Sequence, residues 1–303
     1  MARTDDTPPV VVGYDGSKAA QRALRWAVDE ARRRWTSLVI CHAWHWPYPA
    51  RPSDPAILET FEVLARGVLD QGVRIATGLA PTLPVHPRLI AGGPSAALVS
   101  ESHTARLVVV GNRGLGGFTD LHLGSAALQV PAYSACPVVV VGRPEPGGRT
   151  TSGLVVVGVD GSPAGEAAMG FAAEEAAIRD GRLHAVFCWW PPEAEVEAME
   201  AAGPLDADAE ALRRRAVTRF HETVAVWSEK YPDLRVETSV LDRPPRQALR
   251  EAAEHAELLV VGSRGLVETH GLPLGPVTQS MLHHAPCPVA VVPEPRAHRP
   301  ESR

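Results

Sequence analysis

Leu107-Val108-Val109-Val110-Gly111-Asn112-Arg113-Gly114-Leu115-Gly116-Gly117-Phe118-Thr119-Asp120-Leu121-His122-Leu123-Gly124-Ser125 is an aliphatic run that breaks into glycines and closes on a glycine with a hydroxyl residue. The run has the length and β-branched content of a buried strand, and helical spacing resumes after Ser125. Glycines between a strand and a helix let backbone approach a ligand closely. The free N–H groups of the helix's first turn can then point at an anion. An ordinary glycine-rich surface loop has the same composition, so the stretch by itself leaves both readings open.

The chain repeats the pattern. Val156-Val157-Gly158-Val159-Asp160-Gly161-Ser162 answers Val11-Val12-Gly13-Tyr14-Asp15-Gly16-Ser17 at an offset of 145 residues. Leu258-Leu259-Val260-Val261-Gly262-Ser263-Arg264-Gly265 answers Leu107 to Gly114 at an offset of 151, as Ala285-Pro286-Cys287-Pro288-Val289 answers Ala135 to Val139. The additional residues of the second copy are placed in the Glu193–Asp208 region. A period this long is a domain duplication, not a solenoid. The linker-like segment Gly142 to Gly153, with its Pro, Gly and Arg content, divides a first domain at 1–146 from a second at 150–296.

Within each copy short apolar runs alternate with helical segments. In the first, Pro9–Ser17 reads as a buried strand ending in a turn, and further strands are predicted at Ser37–Trp44, Val85–Ala91, Leu107–Val110 and Pro137–Val141. Helices are predicted at Lys18–Arg34, at Pro55–Ala76, after Gly93-Pro94 and from about Gly124. The fold class is therefore α/β: two tandem doubly wound domains, each a five-stranded parallel sheet in the order 3-2-1-4-5 with helices on both faces. In that order the crevice opens where strands one and four diverge. Asp15 at the end of one and Gly111 at the end of the other face the same crevice.

Bulk properties narrow the function. A net charge of −5 without a basic stripe argues against a nucleic-acid surface. No apolar run is long enough to span a bilayer, and the polar start Met1 to Pro9 has no apolar signal core, so a cytoplasmic protein is expected. Cys41, Cys136, Cys188 and Cys287 form no CxxC pair and read as buried free thiols. The only lysines are Lys18 and Lys230, so the glycine loop has no lysine to grip a phosphate.

The spacing Gly-x2-Gly-x9-Gly-Ser at Gly111, Gly114, Gly124 and Ser125 resembles the ATP-binding signature of the universal stress protein family. The Val-Gly-x-Asp-Gly-Ser starts and Cys-Pro-Val endings of both copies resemble the same family, so the likeness covers nearly the whole chain. It implies that Asp15 meets the adenosine, that Ala43 lines the adenine slot, and that Gly111, Gly114, Gly124 and Ser125 hold ribose and phosphates. The matching positions of the second copy are Asp160, Cys188, Gly262, Gly265 and Gly275, with Pro276 where Ser or Thr is expected. Val267, Glu268, His270 and Pro273 also make that loop bulkier, so the second site is expected to be the weaker one. The resemblance further implies association through the final strands: a pseudo-dimer of the two copies within one chain, with a homodimer of chains also open.

Other residues keep two readings. Asp15 either accepts from a ribose or adenine edge or closes an Asx turn before Gly16-Ser17. Arg113 and Arg264 either neutralise phosphate or are solvated. His42 and His45 are candidate metal ligands without a carboxylate or thiol partner at ligand spacing. His283-His284 read as an exposed helix end. Trp44 and Trp189 either pack under the loops or stack on a base. Triphosphate without lysine calls for Mg²⁺ as counter-charge. There is no Walker Gly-x4-Gly-Lys, no Gly-x-Ser-x-Gly and no His-Glu-x-x-His, and Asp120 is the loop's one carboxylate. The expectation is a regulatory ATP-binding protein that acts on a protein partner, the alternative a slow ATPase or nucleotidyl-handling enzyme.

Overall fold

The structure is a computed structural model that describes residues 7–46, 54–115, 123–142, 153–190, 207–266 and 272–295. Gly116, Gly117, Asp120, the linker residues 143–152, the region 193–206, and Val267, Glu268 and His270 lie outside the described residues. Contacts divide the rest into two compact units, one within residues 1–145 and 288–291 and the other within 146–287 and 292–303.

The first unit runs β1 (Val10–Gly13), α1 (Lys18–Arg33), β2 (Leu38–Trp44), α2 (Pro55–Leu79), β3 (Val85–Ala91), α3 (Pro94–Glu101), β4 (Leu107–Gly111), α4 (Ser125–Tyr133) and β5 (Val138–Val141). Its strands are ordered β3-β2-β1-β4-β5, all parallel. The second copy runs β6 (Leu154–Gly158), α5 (Pro163–Ile178), β7 (Arg182–Cys188), α6 (Ala207–Lys230), β8 (Arg235–Leu241), α7 (Pro245–Ala252), β9 (Leu258–Gly262), α8 (Pro276–His284) and β10 (Val289–Val292). There β8-β7-β6-β9 are parallel in that order. Ser263 N–H donates to Val292 O at 2.8 Å, as Asn112 N–H donates to Val141 O at 3.0 Å, so the order 3-2-1-4-5 recurs. Both copies are therefore doubly wound α/β domains.

Central strands are buried on both faces, which is why β1 and β4 read as unbroken valine and leucine. Helix α1 turns Ala20, Leu24, Ala27, Val28 and Ala31 onto the sheet, and Ser17 caps it by accepting from Ala20 N–H at 3.1 Å. Ser162 does the same for α5, accepting from Gly165 N–H at 3.0 Å. At the far end of each of these helices a buried ion pair recurs, Arg34 with Glu30 and Arg179 with Glu175. Among the described residues no helix is long and apolar enough to cross a membrane.

Cys41, Cys136 and Cys287 are buried and free, as read from the sequence. Cys188 differs: it is only half-buried, because β7 ends there at the mouth of the crevice.

Candidate functional site

At the C-terminal ends of β1 and β4 lies a cavity of about 490 Å³, lined by Asp15, Ala43, Gly111, Gly114, Gly124 and Ser125. In the second copy Asp160, Cys188, Gly262, Gly265, Gly275 and Pro276 line a smaller cavity of about 290 Å³. In each copy, segments up to about 110 residues apart meet because β1 and β4, or β6 and β9, are neighbours whose following loops part.

The aspartate does more than close an Asx turn. Asp15 Oδ1 accepts from Ser17 N–H at 2.9 Å, and Gly16 between them adopts φ +83°, a left-handed conformation that suits glycine. Asp15 Oδ2 accepts from Leu115 N–H, also at 2.9 Å. The carboxylate thus clasps the glycine loop to the end of β1. Asp160 repeats the arrangement, with Oδ1 accepting from Ser162 N–H at 3.0 Å and Ser162 Oγ at 2.6 Å, and Oδ2 from Leu266 N–H at 3.1 Å. Each carboxylate retains acceptor capacity beyond these bonds.

The glycines have three different physical reasons. A Cβ on Gly114 would lie 2.7 Å from Asp15 Oδ2, and one on Gly265 2.5 Å from Asp160 Oδ2, so these glycines make room for the clasp. A Cβ on Gly111 would come within 2.7 Å of the Ala19 carbonyl carbon, and one on Gly262 within 2.8 Å of that of Ala164. Those two let the strand end press against the first turn of α1 or α5, the helix that follows the neighbouring strand. Gly124 and Gly275 would place a Cβ at an ordinary 3.5 Å from Arg113 and Arg264 Cα, and both sit at extended N-cap positions. Their backbone is what matters: Gly124 N–H donates to Asn112 O and Gly275 N–H to Ser263 O, each at 2.9 Å, which folds the loop back onto its strand.

Ser125 is the first residue of α4 and is exposed, and Pro276 holds the same position in α8. Thr278 is not free to stand in for the missing hydroxyl. Its Oγ1 donates to Gly262 O at 2.7 Å, and the residue is buried. Arg113 is half-buried and lines the first cavity. Arg264 is exposed at the second, its Nε donating to Pro273 O at 3.4 Å.

The histidines divide. His42 Nδ1 lies 2.7 Å from Tyr14 O, which fixes its ring at the cavity wall, and His45 lies at the rim. No group of three or more His, Cys, Asp or Glu among the described residues is placed to hold a metal ion. His283 and His284 are exposed at the end of α8. Trp189 lines the second cavity, whereas Trp44 does not line the first.

One feature escaped the sequence reading. Tyr14 lines the first cavity with 2 % exposure, and its hydroxyl is buried without a hydrogen-bond partner among the described residues. Burial raises its phenol pKa, and the Asp15 carboxylate adds to the rise. Its counterpart is Val159, so the contrast between the copies was the available signal. At the Ala43 position of the second copy, burial pushes the Cys188 thiol up to about 11, against an opposite pull from Arg243.

Comparison with known proteins finds one family twice along the chain. The model of the Universal stress protein family matches residues 7–142 and again residues 153–293. A universal stress protein of Mycolicibacterium smegmatis is 32% identical over 293 residues, covering 93% of this chain and 96% of that protein. Universal stress protein Rv2005c of Mycobacterium tuberculosis is 33% identical over 296 residues, with the same two shares, 93% and 96%. The crystal structure of a universal stress protein from Archaeoglobus fulgidus superposes with a TM-score of 0.68, covering 95% of this chain and 96% of that one at 17% identity, and shares its fold.

Proposed function

This chain belongs to the universal stress protein family, and we propose that it binds ATP in its first cavity as a regulatory ligand. The observation that carries the reading is the clasp: Asp15 holds the glycine loop against β1, with Gly114 leaving it room, so that Gly124, Ser125 and Ala43 surround one cavity. Its volume of about 490 Å³ lies within the range of roughly 300–1,000 Å³ usual for small-molecule sites. The buried, unpartnered Tyr14 hydroxyl is a further polar group on its wall.

In this reading the first-turn N–H groups of α4 and the Ser125 hydroxyl meet phosphate oxygens. Ala43, small at the end of β2, leaves space for the base, and Asp15 offers its spare lone pairs to the sugar. Gly111 acts indirectly, by seating the strand end on α1. Among the described residues Arg113 is the one guanidinium lining the cavity, and Mg²⁺ carried by the nucleotide supplies the remaining counter-charge.

The lining favours a ligand over a substrate. Asp15 is the only carboxylate among the described residues of the wall, and both its oxygens already accept N–H bonds, which leaves it poorly suited to activate water. We take the output to be a change in conformation or association read by a protein partner. Mass spectrometry of the nucleotide released from protein purified without added ligand tests the reading. Recovery of ATP from the unaltered chain, and its loss in Gly114→Val, is the result expected. Absence of any adenine nucleotide from protein reloaded with ATP and Mg²⁺ would remove the function.

A further inference from the structure

The two cavities share their frame but not their chemistry. Four positions that are polar around the first are apolar or aromatic around the second. Tyr14 becomes Val159, His42 becomes Phe187, His45 becomes Trp190 and Ser125 becomes Pro276. The strand pairing fixes these correspondences. Tyr14 N–H donates to Cys41 O as Val159 N–H donates to Val186 O, so the residues that follow each acceptor are equivalents.

Each change removes something a nucleotide would use. Pro276 has neither a hydroxyl nor an N–H at the helix start where phosphate would be met. The Thr278 hydroxyl beside it is committed to Gly262 O. Phe187 and Trp190 replace two imidazoles. Beside Asp160, whose oxygens accept from Ser162 and Leu266, and Arg264, which donates to Pro273 O, the lining is an apolar floor of Val159, Phe187, Leu249 and Val261, each 5% exposed or less, with the indole of Trp190 at the rim, 42% exposed. The volume falls to about 290 Å³, against about 490 Å³ in the first copy.

An apolar cavity with aromatic walls favours ligands that bring ring surface to stack and little charge to desolvate. We propose that the second cavity is a site for a compact, uncharged, ring-bearing apolar molecule, distinct from the nucleotide. This assignment does not rest on ATP binding in the first cavity. The rim tryptophan acts as the stacking lid, and Cys188, a soft neutral thiol at the Ala43 position, packs against the ring rather than attacking it.

The test uses the full-length chain and N-phenyl-1-naphthylamine, an uncharged aromatic dye that brightens in apolar surroundings. One saturable site per chain is expected, unchanged by saturating ATP and Mg²⁺ and unchanged in Gly114→Val. Ala216→Trp, which fills the cavity from α6, and Trp190→His, which restores the first copy's residue, should each weaken the dye by at least about tenfold. Melting curves without ligand accompany every variant. Trp190 is exposed enough that its replacement leaves folding intact, so it decides the matter should Ala216→Trp unfold. Absence of saturable binding overturns the proposal. So does displacement of the dye by ATP, or undiminished dye affinity in a folded Trp190→His protein. A dye site that survives in Gly114→Val while ATP is lost separates the two cavities outright.

Discussion

The two copies differ least where backbone meets backbone and most where side chains face the cavity. A Cβ on Gly111 or Gly262 would meet the first turn of α1 or α5 at 2.7 and 2.8 Å, and Asp15 and Asp160 clasp their loops through Leu115 and Leu266 in the same way. These contacts hold the fold, so a duplicated domain keeps them whatever its ligand. Ser125 and Pro276, by contrast, occupy the same first helical position, which proline tolerates well, so the exchange alters ligand chemistry while sparing the helix. A conserved frame and a changed lining are what one expects when one copy is released from the ligand of the other.

The largest effect should come from breaking the clasp on one side only. In Gly114→Val the new Cβ would lie 2.7 Å from Asp15 Oδ2, so loop and carboxylate must part. Loss of a charged hydrogen bond and of loop order together predict ATP affinity lower by at least about 100-fold, measured by calorimetry. The mirror change Gly265→Val should leave tight ATP binding untouched, and an equal loss in both variants would merge the two sites.

Next comes the half-buried thiol at the Ala43 position of the second cavity. Burial raises the Cys188 thiol to about 11, so the thiolate is scarce near neutrality and grows about tenfold per pH unit up to that value. Iodoacetamide labelling of Cys188, followed by peptide mass spectrometry, should speed up about 100-fold between pH 8 and pH 10. An ordinary thiol of pKa 9 gains only about tenfold over that interval. The deeper Cys41, Cys136 and Cys287 should lag behind it at both pH values.

Restoring the missing hydroxyl sharpens the comparison from the other side. Pro276→Ser returns one donor and one N–H to the start of α8, and one such bond to a charged group corresponds to about a tenfold gain in nucleotide affinity for the second cavity. Equilibrium dialysis with ATP in the Gly114→Val background isolates that site; no gain there would mean that the wall, not the helix start, excludes nucleotide. The smallest effect concerns stability alone. Thr278→Val leaves Gly262 O without its side-chain donor, which should cost about 1–2 kcal/mol in urea unfolding, with ATP binding at the first cavity unchanged.

The sequence made the frame legible for a physical reason. Buried parallel strands must be aliphatic, glycine must stand where the chain turns tightly, and the copies repeat both. β3 was placed at Val85–Ala91, as observed. The roles of the individual glycines were not legible, because Gly111 and Gly114 are alike in sequence and only their neighbours, Ala19 and Asp15, tell them apart. The commitment of the Thr278 hydroxyl to Gly262 O was not legible either, because the two residues lie in different segments of the chain. The repeated Glu30-x3-Arg34 and Glu175-x3-Arg179 pairs were visible as text, yet surface helices carry the same spacing. Only their burial marks them as core. Tyr14 shows the same limit: Asp15 follows it in the chain, but His42 comes beside it only through strand pairing.

The central claim is that one frame serves two different cavities, and calorimetric titration of the full-length chain with ATP and Mg²⁺ tests it most directly. The account predicts one tight site per chain, with any second event weaker by tenfold or considerably more. Two sites of equal affinity, or a tight site that survives Gly114→Val and disappears in Gly265→Val, would contradict it.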